Sequence, residues 1–250
     1  MLLAVDVGNS RVKLAWFEAG RLRAHANQTA HTAPGVGLVC PSGCRLDLPA
    51  GGTAYLSSVY PPAAHAWLDH LLEQGWRVRW AGVDFPSPLP LDYDPPEALG
   101  TDRWLGALAA TRLVGGPVLS VDCGTATTLN VVDAAGVFRG GAIACGLGTS
   151  RDALAKQASA LPALELSLPT QALGRDTDAG LASGLILGHA ALIAGLADQL
   201  RAEVGQPDCP TVATGGWSGL LAQARPGLFD QVEPDLVLWG LHQVFMEERR

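Results

Sequence analysis

The same short motif occurs twice in this chain, and the repeat constrains the fold more than any other feature. Residues 3–13 read as an apolar strand that ends at Asp6, a turn at Gly8 and a second strand. A shift of 116 residues places Asp6 on Asp122 and Gly8 on Gly124, in another strand followed by a polar turn. We therefore predict two related halves, residues 1–115 and 116–250, each aiming a carboxylate and a glycine turn at one cleft.

Both turns have the composition of a phosphate site. Gly8 and Gly124 lack a Cβ atom, so the backbone can approach a bulky anion closely, and successive N–H groups can form an anion-binding concavity. Mg²⁺ standing between the acid and the phosphate would remove their repulsion. A hairpin with an Asx-type turn is the alternative for a single copy, but repetition at one fixed shift favours phosphate. The neutral donors in the turns are Asn9, Ser10, Thr125, Thr127 and Thr128.

Composition narrows the class of protein. A length of 250 residues with 48% hydrophobic residues suits two halves with buried cores. The net charge of −7 argues against nucleic-acid binding. Five scattered cysteines predict a reducing cytoplasm rather than a disulfide framework, and Cys40 and Cys44 lack a second Cys/His pair at zinc-ligand spacing. Asp6 comes too early for a signal peptide.

An uncharged stretch lies between Asp178 and Asp198 and approaches the length needed to span a membrane. Glycines and polar residues interrupt it, so we predict a buried helix over 178–203 and no membrane span. Gly180, Gly184 and Gly188 recur every four residues and line one face of that helix. This face would let another helix approach closely, either within the chain or from a second subunit.

Residues 100–103, with the sequence Gly-Thr-Asp-Arg, predict the start of another helix. Thr101 is a good N-cap residue, and helical propensity continues to Val114. The positive end of the helix favours an ionised Asp102, which could accept a proton from a hydroxyl group. Arg103 could bind a carboxylate or phosphate with its planar fork. Alternatively, Asp102 only satisfies first-turn N–H groups and Arg103 is a surface charge.

Strands and helices follow one another in the order of an α/β layer structure. A strand hairpin, a third strand near 21–26, a strand at 53–59, a helix from 61 and a strand at 76–80 make up the first half. The second half repeats the strand layout. Residues 27–50 are predicted to be irregular and have no assigned role.

Taken together, in this order and spacing, the motifs resemble those of type III pantothenate kinases. The resemblance covers nearly the whole chain and implies the acetate and sugar kinase/Hsp70/actin superfamily. It implies an α/β fold of two duplicated ribonuclease-H-like (actin-like ATPase) domains, with mixed sheets flanked by helices and a cleft between the domains. The matching motifs are Asp6-x-Gly-Asn-Ser…Lys13, Gly100-Thr-Asp-Arg103, Asp122-x-Gly-Thr-Ala and Thr214-Gly-Gly216.

The activity implied by the resemblance is ATP-dependent phosphorylation of pantothenate to 4′-phosphopantothenate, the first step of coenzyme A biosynthesis. A cytoplasmic homodimer is implied, with Mg²⁺ accompanying ATP and a monovalent cation, K⁺ or NH₄⁺, bound by Asp122. Asp102 would be the general base, and Asp6 would also meet the Mg²⁺ of ATP. ATP would be bound by Asp6, Val7, Gly8, Asn9, Ser10, Arg11, Val12, Lys13 and Thr125. Pantothenate would be held by Tyr93, Gly100, Thr101, Asp102, Arg103 and Thr177.

Two departures from the family pattern stand out. Ala144-Cys145-Gly146 occurs where Pro-Gly is usual, and Trp239 occurs where an acid is common. Two other functions compete: a kinase or phosphatase of the same superfamily that acts on another small molecule, such as a sugar, and a non-catalytic regulatory binding protein. Retention of a complete set of charged motif residues favours the active kinase; these are Asp6, Lys13, Asp102, Arg103 and Asp122.

Overall fold

Two α/β units make up the chain. The first comprises Met1–Ala109 together with Leu236–Arg250, and the second comprises Ala110–Asp235. The computed structural model describes residues 1–35, 38–40, 51–158 and 164–249. Cys44, the second member of the weak zinc pair, lies outside these ranges. Among the described residues, no group of three or more His, Cys, Asp or Glu side chains could hold a metal ion.

The first unit is built on a five-stranded mixed sheet in the order β3-β2-β1-β4-β5. Strand β1 pairs antiparallel with β2 and parallel with β4. All but one residue of β1 is buried, as expected for a central strand covered on both faces. The strands are β1 (Leu2–Val7), β2 (Arg11–Glu18), β3 (Arg21–Thr29), β4 (Gly52–Ser58) and β5 (Trp76–Trp80), and the helices are α1 (Pro61–Glu73), a 3₁₀ turn (Pro96–Ala98) and α2 (Thr101–Val114), of which residues 101–109 belong to this unit.

The second unit repeats this sheet, with strand order β10-β9-β6-β7-β8. Strand β6 pairs antiparallel with β7 and parallel with β9, as β1 pairs with β2 and β4. The predicted duplication of mixed sheets flanked by helices is therefore confirmed. The strands are β6 (Val118–Cys123), β7 (Ala126–Val132), β8 (Phe138–Cys145), β9 (Thr211–Thr214) and β10 (Gln231–Val232), and the helices are α3 (Leu147–Gln157), α4 (Thr177–Ala182), a π-helical turn (Ser183–Leu187), α5 (Gly188–Glu203) and α6 (Ser218–Ala224). The last helix of the chain, α7 (Leu236–Glu247), belongs to the first unit.

Each sheet has its own hydrophobic core. In the first unit Val5, Leu56 and the helix residue Trp67 are at most 1% exposed. In the second unit Val121 and Ile193 are fully buried. Full burial of one such aliphatic side chain contributes roughly 1.5–3 kcal/mol, so these contacts hold the helices on the sheets.

The C-terminal helix α7 packs with the first sheet. Gly240 leaves no space for a Cβ atom against the backbone of Leu105 in α2, so the two helices meet at close range. At the end of α7, Glu248 accepts hydrogen bonds from the Tyr55 hydroxyl and the Arg79 guanidinium. The division of the chain at residue 115 instead grouped this helix with the second half. The predicted boundary between duplicated halves at residues 115 and 116 stays a prediction.

The helix predicted over 178–203 consists of α4, a π-helical turn and α5. Only one face is buried, through core residues such as Ile186 and Ile193, so the prediction of a buried helix was only partly right. Gly184 and Gly188 are exposed on the other face. By length and composition alone, Thr177–Glu203 could cross a membrane.

Candidate active site

The first predicted phosphate turn joins β1 to β2. Asp6 lies near the carboxyl end of β1, opposite Lys13 on β2 and Ser57 on β4. The turn closes through a hydrogen bond of 3.0 Å from the Gly8 N–H to the Arg11 carbonyl. A Cβ atom at position 8 would lie 3.2 Å from the same carbonyl oxygen. Glycine therefore permits this tight closure, and the side chains of Asn9 and Ser10 in the turn are exposed.

Asp102, the acid predicted to accept a proton from a hydroxyl group, lies in the first turn of α2. This helix begins at Thr101 itself, so the prediction that Thr101 is the preceding N-cap was wrong. The Thr101 hydroxyl is 3.1 Å from the Ser57 hydroxyl and donates to the Ser58 carbonyl at 3.3 Å. Asp102 Oδ1 accepts the Arg103 N–H at 2.8 Å. A Cβ atom at position 100 would lie 2.7 Å from Asp102 Oδ1, so Gly100 makes room for this carboxylate.

Burial raises the pKa of the Asp102 carboxyl above its ordinary value. The N–H and the positive charge of Arg103 lower that pKa, but loss of hydration has the larger effect. The sequence predicted that the helix terminus favours an ionised Asp102; that effect is present, but the loss of hydration outweighs it. A carboxylate of raised pKa accepts a proton more readily, which suits a general base.

Arg103 is buried, with 8% of its surface exposed, so the alternative of a surface charge is wrong. Its Nη1 donates to the Tyr93 hydroxyl at 3.1 Å, and its Cζ lies 5.4 Å from the centre of the Tyr93 ring. Tyr93 belongs to the proline-rich loop before α2. The structure thus brings three groups together in the first unit: the hydroxyl of Tyr93, the guanidinium cation of Arg103 and the carboxylate of Asp102.

The second phosphate turn, between β6 and β7, is enclosed by two glycine-bearing loops. Gly146 lies against the carbonyls of Gly124 and Thr125, and Gly215 lies against Asp122, each without room for a Cβ atom. The Thr149 hydroxyl also donates to the Thr125 carbonyl at 2.6 Å. By sequence, Gly146 is singled out only as part of a departure from the family pattern, and Gly215 only within the Thr214–Gly216 motif. Their contacts with the Asp122–Thr125 turn, and the role of Thr149, were missed.

A buried pair also follows this turn. Thr127 on β7 is fully buried, and its hydroxyl is 2.8 Å from His189 Nε2 on α5. Burial lowers the pKa of His189, so the imidazole favours its neutral form. No periodicity in the sequence indicated this contact, which joins residues 62 positions apart.

Thr177 is exposed and is the first residue of α4. The helix is capped by Asp176, whose carboxylate accepts the Ala179 N–H at 2.8 Å. The predicted ligands therefore fall into two groups. The first unit holds residues 6–13, Tyr93 and 100–103; the second holds Asp122 and Thr125 in the β6–β7 turn and Thr177 on a separate element.

The donor chemistry fits Mg²⁺ bound together with ATP. Mg²⁺ is usually held by one or two carboxylates plus phosphate oxygens, rather than by a cage of protein ligands. Asp6, half-buried beside a tight glycine turn, supplies one carboxylate of this kind. Asp122 is also half-buried, with Oδ1 beside the Gly215 backbone.

Comparison with solved structures supports the fold. A protein from Campylobacter jejuni described as a Baf family transcriptional activator superposes with a TM-score of 0.63 at 18% identity, covering 99% of this chain and 98% of the other. A protein from Sinorhizobium meliloti described as a 2-dehydro-3-deoxygalactonokinase gives a TM-score of 0.63 at 14% identity, covering 100% and 99%. These superpositions support the duplicated ribonuclease-H-like fold that the two five-stranded sheets display.

Comparison of sequences identifies the family. The family model described as Type III pantothenate kinase matches residues 2–199. A type III pantothenate kinase from Roseiflexus sp. (strain RS-1) is 37% identical over 267 residues, covering the whole of both chains. Another from Moorella thermoacetica is 34% identical over 252 residues, covering 98% of each. The chain belongs to the type III pantothenate kinase family, whose members transfer a phosphoryl group from ATP to pantothenate.

Proposed function

We propose that this enzyme phosphorylates pantothenate with Asp102 as the general base. Membership of the family makes it an ATP-dependent pantothenate kinase. The observation that supports the base assignment is a half-buried carboxylate of raised pKa in the first turn of α2, followed directly by buried Arg103. This arrangement supplies a proton acceptor and an anchor for an anionic substrate in adjacent positions.

In the proposed reaction the primary hydroxyl of pantothenate attacks the γ-phosphorus of ATP. A new O–P bond forms, the bond between the γ-phosphorus and the bridging oxygen breaks, and ADP leaves with the bond electrons. Asp102 accepts the hydroxyl proton. Phosphoryl transfer depends mainly on positioning and on charge stabilisation, and a positioned base typically contributes about 10²–10⁴-fold.

Arg103 would bind the carboxylate of pantothenate. A hydrogen bond to a charged group is worth roughly 1.5–3 kcal/mol. The Tyr93 hydroxyl, which accepts from Arg103 Nη1, holds the guanidinium in one orientation. The remaining pantothenate contacts would come from Gly100, Thr101 and Thr177.

ATP would be bound by residues 6–13 of the first unit and by Thr125 of the second. Asp6 would meet the accompanying Mg²⁺, which neutralises phosphate charge when it is bound. Asp122 would bind a monovalent cation, K⁺ or NH₄⁺. The similarity of the two turns supports these assignments. Each combines a half-buried carboxylate with a glycine whose lack of a Cβ atom permits a close contact.

The glycine face of α4 and α5 would form the contact of a homodimer. Gly180, Gly184 and Gly188 are exposed. Outside its chain neighbours and its own helix backbone, a Cβ atom built on each glycine meets no heavy atom of the described residues within 4 Å, so these three side-chain positions are open there. Small residues of this kind permit a partner helix to approach closely, and burial against it suits the apolar composition of this segment. On this proposal the enzyme is a homodimer, and the scattered cysteines favour a cytoplasmic location.

Measurement of ATP consumption tests the proposed function. The purified protein is assayed with pantothenate and Mg²⁺ in the presence of K⁺ or NH₄⁺, and then with Na⁺ in their place. We expect turnover with K⁺ or NH₄⁺ and little with Na⁺. Consumption of ATP with a sugar but not with pantothenate would assign another small-molecule kinase, whereas binding of ATP without any turnover would assign a regulatory protein.

A further inference from the structure

A buried serine connects the strand that carries Asp6 to the helix that carries Asp102. Ser57 lies on β4, directly opposite Asp6 in the parallel ladder, and is fully buried. Its hydroxyl is 3.1 Å from Thr101 Oγ1. Because the Thr101 hydroxyl donates its proton to the Ser58 carbonyl, the Ser57 hydroxyl is the donor to Thr101. Two hydrogen bonds in series therefore fix the first residue of α2 to the end of β4.

The position of this link gives it a mechanical consequence. Strands β1 and β4 run parallel and end side by side, at Val7 and Ser58, so the first phosphate turn and the contact to α2 lie at the same edge of the sheet. Thr101 immediately precedes Asp102 in the chain. Any displacement of Thr101 from β4 would therefore displace the Asp102 carboxylate relative to Asp6.

We propose that Ser57 is a positioning residue, which sets the distance between the phosphate-binding turn of β1 and the acid of α2. This inference rests on the proposed role of Asp102 as general base. Ser57 itself is not expected to contact substrate, since its side chain is fully buried. Misplacement of a reacting group by about 1 Å can cost on the order of a hundredfold in rate, so a single hydroxyl at this point can control kcat.

Ser58 provides a matched control one residue further along. Its hydroxyl donates to the Val7 carbonyl at 3.2 Å and accepts the Tyr60 N–H at 2.9 Å. It therefore holds the ends of β1 and β4 together without bonding to Thr101 through its side chain. Replacing either serine with alanine removes one hydroxyl group and changes the side-chain volume equally. The two variants therefore differ only in the lost contact, which is to Thr101 for Ser57 and to Val7 and Tyr60 for Ser58.

The test compares Ser57→Ala and Ser58→Ala in the full-length protein by kinetics and crystallography. We expect Ser57→Ala to lower kcat by about ten- to a hundredfold while KM for ATP changes much less. Ser58→Ala should lower kcat much less at a comparable loss of thermal stability, because the backbone ladder still joins β1 to β4 and the Ser57–Thr101 bond is kept. In a double-mutant cycle with Thr101→Val, the effects on kcat should be strongly non-additive, because both changes break the same hydrogen bond.

Crystal structures of the wild type and Ser57→Ala provide a readout that does not depend on activity. We expect Asp102 to move relative to Asp6 in the variant. An unmoved Asp102, a wild-type kcat in Ser57→Ala, or equal losses of kcat in both alanine variants would each overturn the proposal. Failure of the proposed function would appear separately, as absence of pantothenate-dependent turnover by the wild type.

Discussion

Gly215 lies directly against the carboxylate of Asp122, with a φ angle of +92° and no space for a Cβ atom. The backbone of Cys123 borders the same point. Gly215 is therefore needed for two independent reasons, the left-handed conformation and the close approach. The end of β9 and the end of β6 meet at this contact, which shapes the second phosphate turn.

The first prediction concerns this contact. Gly215→Ala should lower the free energy of unfolding by about 1–3 kcal/mol through backbone strain alone. Displacement of Asp122 or Cys123 by the new Cβ atom would add to this loss. Gly216→Ala is the matched control, since a Cβ atom built there meets no heavy atom of the described residues within 4 Å apart from its chain neighbours. Its change should stay within about 0.5 kcal/mol. Chemical denaturation measures both, and equal stabilities would disprove the contact.

Asp102→Asn should separate activity from stability. Because burial raises the pKa of this carboxyl, the native protein holds its proton more tightly than the unfolded chain does. Stability is therefore lost as pH rises through the native pKa, and a neutral Asn removes this cost. We expect kcat to fall at least about a hundredfold while stability at pH 7 is equal or higher. Near-normal turnover would remove Asp102 from the base role.

The pH dependence of stability should reveal His242. This residue of α7 is 6% exposed and stacks on Phe17 with ring centres 4.4 Å apart, and both its ring nitrogens lack a hydrogen-bond partner among the described residues. Burial lowers its pKa, so the unfolded chain binds the proton more readily. Stability should fall as pH drops below the ordinary histidine value of about 6.5 and through the native pKa.

His242→Phe keeps the ring stacking and removes the titrating group, so the variant should lose part of this acid sensitivity. His189 is buried with a lowered pKa and contributes in the same direction, so some sensitivity should remain. Thermal unfolding of both proteins between pH 7.5 and about 5 provides the measurement. Parallel curves for the variant and the wild type would show that His242 does not titrate during unfolding.

The proposed dimer contact can be tested with Gly184→Leu. Within the described residues the new side chain has open space, so the protomer should fold while the glycine face becomes blocked. We expect sizing chromatography to show a monomer. Gly219→Leu is the control, since Gly219 is an exposed glycine of α6 with equally open space among the described residues. A dimer that persists in Gly184→Leu would exclude this face as the contact.

The sequence alone determined the architecture of each half. Recurrence of Asp6 and Gly8 at Asp122 and Gly124 predicted duplicated sheets, because apolar strands and glycine turns depend on local residue type and spacing. It also indicated the residues around Asp102, which occur in a short motif at a helix start.

Only the tertiary structure decided how these residues are held and charged. The burial of Arg103, the raised pKa of Asp102 and the link from Ser57 to Thr101 each depend on residues distant in sequence. The same is true of Gly215, whose need for glycine follows from its contact with Asp122. The hydration of a side chain and its contacts with distant residues depend on the folded surroundings, so the spacing of residues in the sequence cannot predict them.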